Sequence, residues 1–330
     1  MDLREIGEFG LIQRIRGWMA GSDPSLVQGI GDDVAVIRMG SKALLATADM
    51  LVEDIHFRRS WIDPYHLGRK ALMVNLSDIA AMGGTPKYFL ISLGLPHRLS
   101  LSFVSRLYRG MRDGSKQYRV DLVGGDTTLS RKIVLNICLL GEGQPEKIVY
   151  RSGAEAGDDL WVSGTLGDAA LGLKMLRRIG SKETPRGPIT KHLSPVPRLT
   201  LGQALARSGV VHSMIDVSDG LLSDTSHLLK ESQVGAVIHE DHIPLSKAYR
   251  KYAPSCSKRL VQLALTGGED YELLFTAPAK NRKRISSLSR TLKIPITLIG
   301  EIVPKKDGLV VVKTGGRRYT PSRLGFDHFA

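Results

Sequence analysis

The chain has 330 residues, which is more than one hydrophobic core usually fills, so we expect two domains. Apolar residues make up 42% and charged residues 24%, and no run reaches the roughly 18 apolar residues of a membrane helix, so we expect no membrane partner. The formal net charge is +13, but the basic residues are scattered without interleaved aromatics, which favours small anionic substrates over nucleic acid. The two cysteines, Cys138 and Cys256, have no metal-type spacing and favour a reducing cytoplasm.

The first half of the chain reads as strands mixed with helices. Asp63 is a predicted N-cap, with Pro64 at the first helical position, and this helix is expected to end at Gly83. Ser100 is expected to cap the next helix. The predicted elements are helix 5–20, strands 33–38 and 43–51, helix 64–83, strand 88–95, helix 100–118, and strands 120–123 and 133–141.

The second half follows a turn-rich break at 141–145. We place the boundary after residue 147, which gives domains 1–147 and 148–330. Mixed elements in both halves predict an α/β or α+β fold. The segment 306–308, Lys-Asp-Gly, is typical of a hairpin turn. The predicted elements are strand 159–164, helix 167–178, an irregular loop over 179–197, helix 198–208, strand 211–216, a helix from 219 to 230, and strands 235–239, 271–276, 296–302 and 308–313.

Acidic residues recur beside glycines at the ends of apolar runs. Carboxylates at element ends are hard oxygen ligands of the kind that Mg²⁺ takes, and glycines let backbone approach a bulky ligand. In a basic chain, this pattern predicts a multi-metal site that handles a polyanion. The stretches are Gly31 to Asp33, Thr47 to Asp49, Asn75 to Asp78, Gly124 to Thr127, Asp216 to Gly220 and Gly267 to Asp270.

Each stretch also has a simpler interpretation. Thr47 and Asp49 share one face of a strand, but they could also mark a strand end. Asp78 lies in so apolar a helix that burial without a cation would be costly, although a solvated helix end remains open. Gly124-Gly125 could receive phosphate oxygens or form an ordinary turn. Ser218 or Asp219 could cap the following helix.

Several familiar sites are missing from the sequence. No Gly-x-x-x-x-Gly-Lys-Ser/Thr loop, no Gly-x-Gly-x-x-Gly after the first strand and no His-Glu-x-x-His occurs. These absences exclude a P-loop enzyme, a simple dinucleotide-binding domain and a zinc protease. His56 is a lone histidine and by itself favours a structural role.

Taken in order, the motifs resemble the thiamine-monophosphate kinase family. The resemblance implies the two-domain fold shared with aminoimidazole-ribonucleotide synthetase, with an N-terminal mixed sheet that pairs across a homodimer and a C-terminal α/β domain. It also implies ATP, several Mg²⁺ ions and the phosphorylation of thiamine monophosphate to thiamine diphosphate. The matching stretches are 29–33, Asp49 with 51–52 and 56–57, 71–83, 124–128, 151–153, 216–221, 265–275 and 326–329.

The resemblance also implies roles for individual residues. Metal ligands are expected at Asp33, Thr47, Ala48, Asp49, Asp78, Asp126, Asp216 and Asp219. ATP contacts are expected at Gly125, Asp126, Arg151 and Ser218, and contacts to the thiamine moiety at His56, Glu269 and Phe326. Two positions depart from the family: Ala48 replaces a hydroxyl residue, so a metal contact there must use the backbone carbonyl, and Met50 replaces a small polar residue.

The expected reaction needs no general base, because a phosphate monoester is already mostly a dianion at neutral pH. Three alternatives stay open: another ATP-dependent enzyme of the same fold, a non-catalytic nucleotide- or metal-binding protein, and a Mg²⁺-dependent phosphohydrolase or nuclease. Within the same fold, a selenophosphate synthetase would be expected to have a cysteine near the N-terminus, and the hydrogenase-maturation dehydratase would be expected to have one close to the C-terminus. Neither position has a cysteine here.

Overall fold

The computed structural model describes residues 2–19, 21–179, 187–257 and 259–329. Its strands form a six-stranded sheet in the first half and a seven-stranded sheet in the second, with helices around both. The predicted mixed α/β fold is therefore confirmed. No helix of the described residues is long and apolar enough to cross a membrane.

The first sheet has the strand order β1-β2-β3-β6-β4-β5. Its pairs are antiparallel except β4 with β5, which run parallel because α3 crosses over between them. Every residue of the edge strand β5 is exposed. The elements of this half are α1 (Leu3–Trp18), β1 (Leu26–Gln28), β2 (Ala35–Met39), β3 (Lys42–Val52), α2 (Pro64–Ala81), β4 (Thr85–Leu95), α3 (Leu101–Tyr118), β5 (Asp121–Leu129) and β6 (Val134–Gly143).

The second sheet has the strand order β13-β12-β9-β11-β7-β10-β8. The predicted boundary after residue 147 falls between the last strand of the first sheet and the first strand of this one, and it stays a prediction. The elements of this half are β7 (Asp158–Ser163), α4 (Asp168–Ile179), α5 (Pro188–Leu193), α6 (Leu199–Ser208), β8 (Ser213–Asp216), α7 (Leu221–Ser232), β9 (Val234–His239), α8 (Lys247–Tyr252), α9 (Gln262–Thr266), β10 (Leu273–Pro278), α10 (Arg282–Leu292), β11 (Ile296–Pro304), β12 (Leu309–Val312) and β13 (Arg318–Tyr319).

Helix α2 is the central element that positions the site. Asp63 caps it as predicted, accepting a hydrogen bond from the Tyr65 N–H at 2.9 Å. Most of its residues are buried, and they share one apolar core with α6, β8 and β10 of the second half. Gly202 of α6 allows the close approach, since a Cβ atom there would lie 2.0 Å from the Ala80 carbonyl oxygen. The two halves are therefore packed directly against each other through α2.

Two predictions about the second half are wrong. Strands β11 and β12 do not form a hairpin, because both pair with β9 and lie on opposite sides of it. The loop predicted over 179–197 contains helix α5, which begins at Pro188. Residues 180–186 of that predicted loop lie outside the described part of the chain.

Candidate functional site

Three predicted metal ligands meet in one cluster. Asp33 precedes β2, Asp78 lies on α2 and Asp216 ends β8, and one carboxylate oxygen from each lies within 4.8 Å of the others. Because α2 packs against both halves of the chain, its Asp78 lies close to Asp216 at the end of β8 in the second sheet. The cluster therefore combines residues from both halves of the chain.

Hydroxyl and amide side chains orient these acids. The Thr47 hydroxyl donates to Asp78 Oδ2 at 2.5 Å, and the Ser77 hydroxyl donates to Asp216 Oδ2 at 2.5 Å. The Asn75 side-chain oxygen accepts from the Asp49 N–H at 3.1 Å, which ties α2 to β3. The predicted common face of Thr47 and Asp49 thus adjoins the acidic face of α2.

The cluster has more negative charge than its protein partners balance. Burial, followed by the neighbouring acid Asp33, raises the pKa of Asp49 to about 6 and that of Asp216 to about 8. Burial and three neighbouring carboxylates also raise the pKa of Asp78 well above its usual range. Asp33 Oδ2 is buried and has no hydrogen-bond partner among the described residues. Hard divalent cations fit such a set of oxygen donors.

Arg151 lies beside the cluster. Its guanidinium donates to Asp33 Oδ1 at 2.6 Å, and its backbone N–H donates to Asp32 Oδ2 at 3.2 Å. Burial, followed by the charge of Asp33, raises the pKa of Asp32 to about 7. Asp32 lies within one of the acidic sequence motifs but had no predicted role. The two consecutive acids, Asp32-Asp33, were the sequence feature that could have indicated a role for Asp32.

The turn before α7 is held by an acid that the sequence analysis missed. Asp224 Oδ2 accepts from the backbone N–H groups of Asp219 at 3.2 Å and Gly220 at 3.0 Å. No side chain caps this helix at its N-cap residue Gly220, so the capping alternative for Ser218 and Asp219 is wrong. Burial, then the charge of Glu8, raises the pKa of Asp219 to about 7. Asp219 therefore stays a predicted metal ligand.

Glu269 forms a second polar centre with two basic residues. Lys70 Nζ lies 2.7 Å from Glu269 Oε1, and His192 Nδ1 lies 2.6 Å from Glu269 Oε2. The Glu269 N–H donates to the Ser218 carbonyl oxygen at 2.7 Å, so this centre adjoins the turn of Asp216 to Gly220. No sequence pattern indicated a role for Lys70, which has the pattern of an ordinary helix residue, or for His192, which lies in the predicted loop.

The C-terminal segment brings two predicted substrate residues towards the same region. The Phe326 N–H donates to the Asp219 carbonyl oxygen at 3.1 Å. The Phe326 ring contacts His328 edge-on at 4.9 Å, and His328 Nε2 lies 3.4 Å from His56 Nε2. The Val52 N–H donates to His56 Nδ1 at 3.0 Å, which fixes the ring.

The remaining predicted site residues lie outside the acidic cluster. Gly125 and Asp126 lie on the exposed edge strand β5. A Cβ atom on Gly125 would lie 1.9 Å from the Ile91 carbonyl oxygen, so this glycine is needed for the pairing of β5 with β4. The Ala48 residue is exposed on β3, between Thr47 and Asp49. The roles assigned to these residues stay predictions.

The comparisons with known proteins agree with this geometry. Residues 31–142 match the family model described as AIR synthase related protein, N-terminal domain, and residues 155–313 match its C-terminal domain. A thiamine-monophosphate kinase from Aquifex aeolicus is 41% identical over 84% of this chain and 88% of its own length. The enzyme of that name from Escherichia coli K12 is 37% identical over 98% of each chain.

A solved structure titled "AaThiL complexed with AMPPCP and TMP" superposes with a TM-score of 0.86 at 37% identity, covering 99% of each chain. The chain therefore belongs to the thiamine-monophosphate kinase family of AIR synthase related proteins.

Proposed function

We propose that this protein transfers the γ-phosphate of ATP to thiamine monophosphate and releases thiamine diphosphate, as the final step in making that cofactor. The observation that carries this proposal is the cluster of Asp33, Asp78 and Asp216, with a buried oxygen of Asp33 left without a partner. The solved structure that superposes with a TM-score of 0.86 is a complex with AMPPCP and TMP, and this similarity supports binding of the corresponding substrates here.

The difficulty in this reaction is bringing two polyanions together. Two unit charges about 4 Å apart repel by roughly 4 kcal/mol at an effective dielectric near 20, and several such pairs meet here. Bound Mg²⁺ ions supply charge neutralisation and alignment for an in-line transfer. Several of these ions would be held by the predicted metal ligands, which are Asp33, Thr47, the Ala48 carbonyl, Asp49, Asp78, Asp126, Asp216 and Asp219.

The described residues also suit the two substrates. Arg151, although paired with Asp33, offers further N–H donors to ATP phosphates, and the turn at Ser218 and the backbone at Gly125 offer polar groups. Glu269 accepts hydrogen bonds and suits the aminopyrimidine, while Phe326, which is 48% exposed, offers a ring for stacking. His56 lies next to Phe326 through His328. The acceptor needs no base because it arrives as a dianion, so we propose direct transfer without a phosphoenzyme.

We also propose a homodimer that pairs through β5. This edge strand is exposed along its whole length, including Leu122, Val123 and Leu129, and unpaired strand edges pair readily with another chain. Pairing of this kind would continue the first sheet across the dimer and enclose Gly125 and Asp126. The domains 1–147 and 148–330, the cytoplasmic location and the absence of a nucleic-acid partner remain proposals from the sequence.

The test is incubation of the purified protein with ATP, MgCl₂ and thiamine monophosphate, followed by chromatography. We expect thiamine diphosphate and ADP in equal amounts, with no product in excess EDTA. Hydrolysis of ATP without thiamine diphosphate would favour the phosphohydrolase alternative. No turnover of either compound would favour a non-catalytic binding protein.

A further inference from the structure

Two basic residues that contact Glu269, Lys70 and His192, have no role in the proposed reaction as described so far. Lys70 comes from α2 and His192 from α5, yet both reach the same carboxylate. Both basic residues are buried, with 1% of Lys70 and 3% of His192 exposed, whereas 26% of the Glu269 side chain is exposed. The carboxylate therefore has one side held by the protein and one side open.

Buried Lys70 needs its counter-charge. A lysine is almost never fully buried unless it is paired, because an isolated ammonium group is costly to remove from water. Glu269 supplies this charge at 2.7 Å, so the pair constrains the carboxylate from one side. Burial alone would raise the pKa of Glu269, but the Lys70 ammonium and the His192 imidazole hold it well below its usual range. The carboxylate is therefore ionised at neutral pH.

His192 contacts the other carboxylate oxygen. Burial, followed by the charge of Lys70, lowers the pKa of His192, so the ring is neutral at neutral pH. A neutral imidazole carries its proton on only one nitrogen, and the 2.6 Å approach of Nδ1 to Glu269 Oε2 favours the tautomer with the proton on Nδ1, although this contact does not have hydrogen-bond geometry in the structure. Each carboxylate oxygen accepts about two hydrogen bonds, so one position on each oxygen remains for a ligand.

The backbone of Glu269 is also held. Its φ is +68°, in the left-handed region, and its N–H donates to the Ser218 carbonyl oxygen at 2.7 Å. Tyr271 follows with φ +50° and donates from its N–H to the Val217 carbonyl oxygen at 2.9 Å. Non-glycine residues occupy this region at a cost, which the surrounding contacts must offset. Both the main chain and the side chain of Glu269 are thus constrained.

We propose that Lys70 and His192 are positioning residues that fix the ionised Glu269 carboxylate so that its open side recognises the amino group of the acceptor's heteroaromatic ring. This assignment rests on the proposed function, and it adds a specificity device of two residues that do not touch the substrate themselves. A carboxylate fixed in this way accepts hydrogen bonds only, so it favours a ring amino group and rejects a ring carbonyl at the same position.

The test compares two acceptors, thiamine monophosphate and its analogue in which a carbonyl oxygen replaces the pyrimidine amino group (oxythiamine monophosphate). The measured quantity is the ratio of their kcat/KM values at saturating ATP. We expect the wild-type ratio to exceed one strongly, and Lys70→Met and His192→Leu to reduce it by about tenfold or more, as expected for a lost charge-assisted hydrogen bond. A purely structural role would lower both kcat/KM values together and leave the ratio unchanged.

Two further variants sharpen the result. His192→Asn keeps a donor near the position of Nδ1, so it should retain most of the discrimination that His192→Leu loses, even if Lys70→Met does not fold. Arg259→Met removes the cation from another buried glutamate, Glu240, and should leave the ratio unchanged. An unchanged ratio in both His192→Leu and any folded Lys70 variant would overturn the assignment, with the kinase activity left standing. Failure of the wild-type protein to phosphorylate thiamine monophosphate would instead overturn the proposed function.

Discussion

At the scale of single residues, the proposed chemistry depends on a crowded set of acids, and we expect these acids to bind a cation. Asp33, Asp78 and Asp216 were recognisable in sequence because each lies within an apolar run or at its end. Lys70 and His192 could not be recognised, because their importance comes only from their distance to Glu269 in the folded chain. Periodicity reports which face of an element is apolar, but it does not report which distant side chain that face meets.

The first residue-scale prediction concerns Asp78→Asn. An amide cannot ionise, so this change should remove the cost of burying an acid beside Asp49 and Asp216, and the metal-free protein should unfold at a higher temperature than the wild type. Turnover should fall by at least about a hundredfold, since metal assistance is worth several kcal/mol. Melting curves in EDTA and steady-state assays in MgCl₂ measure the two effects. Asp307→Asn, at an exposed turn, is the control and should change neither. Wild-type turnover of Asp78→Asn at limiting Mg²⁺ would contradict the ligand assignment.

The second residue-scale prediction concerns pH. Burial and neighbouring acids raise the pKa of Asp216 to about 8 and those of Asp32 and Asp219 to about 7, above the value of about 3.9 expected in the unfolded chain. The folded state therefore binds more protons than the unfolded state, and stability falls as pH rises through this window. The histidines with lowered pKa values, such as His227 at about 4, act in the opposite direction below about pH 6.5.

The measurement is Tm in EDTA between about pH 7.5 and 8.5, where those histidines are almost entirely neutral in both states. We expect the unfolding free energy to fall by about 2 kcal/mol, or Tm by roughly 4 °C. Saturating MgCl₂ should remove most of this fall, because the metal binds the ionised carboxylates. The same slope with and without Mg²⁺ would show that these acids do not bind the metal.

At the scale of elements, most predicted strands and helices occur near their predicted positions, but helices α8, α9 and α10 were not predicted, and the pairing of strands did not follow from sequence. Helix α2 was predictable from its Asp63-Pro64 start and its apolar length. The turn at 306–308 suggested a hairpin, but β12 runs parallel to β9 on the side away from β11. A short turn signal describes local backbone only, and tertiary packing decides which strand lies next to which. Helix α5 was missed because its six residues are too few for a periodic pattern.

The prediction at this scale concerns the exposed edge strand β5. If β5 pairs across a dimer, Val123→Lys should place charges at the interface and shift the protein towards the monomer. Light scattering after size-exclusion chromatography measures the mass. Leu101→Lys, at an exposed position on α3, is the control and should leave the mass at the wild-type value. A wild-type monomer, or a Val123→Lys dimer, would contradict pairing through β5.

At the scale of the whole molecule, the two halves are joined by α2, whose buried residues share a core with both sheets. This packing brings Asp33 and Asp78 of the first half to Asp216 of the second, so neither half alone contains the complete cluster. Family membership could be inferred from the ordered motifs, and the comparisons confirm it. The position of the acidic cluster relative to the Glu269 centre could not be predicted from sequence, because this position depends on how α2 packs against α6 and β8.

The central claim is that these residues serve direct phosphoryl transfer between two bound substrates. The most direct measurement is transfer of label from [γ-³²P]ATP to thiamine monophosphate in MgCl₂, with products separated by chromatography and the protein examined for label. The account predicts that label appears in the terminal phosphate of thiamine diphosphate, one for each ADP formed, and that the protein carries none. Label in inorganic phosphate alone, or in a phosphoprotein that passes it on to product, would contradict the account.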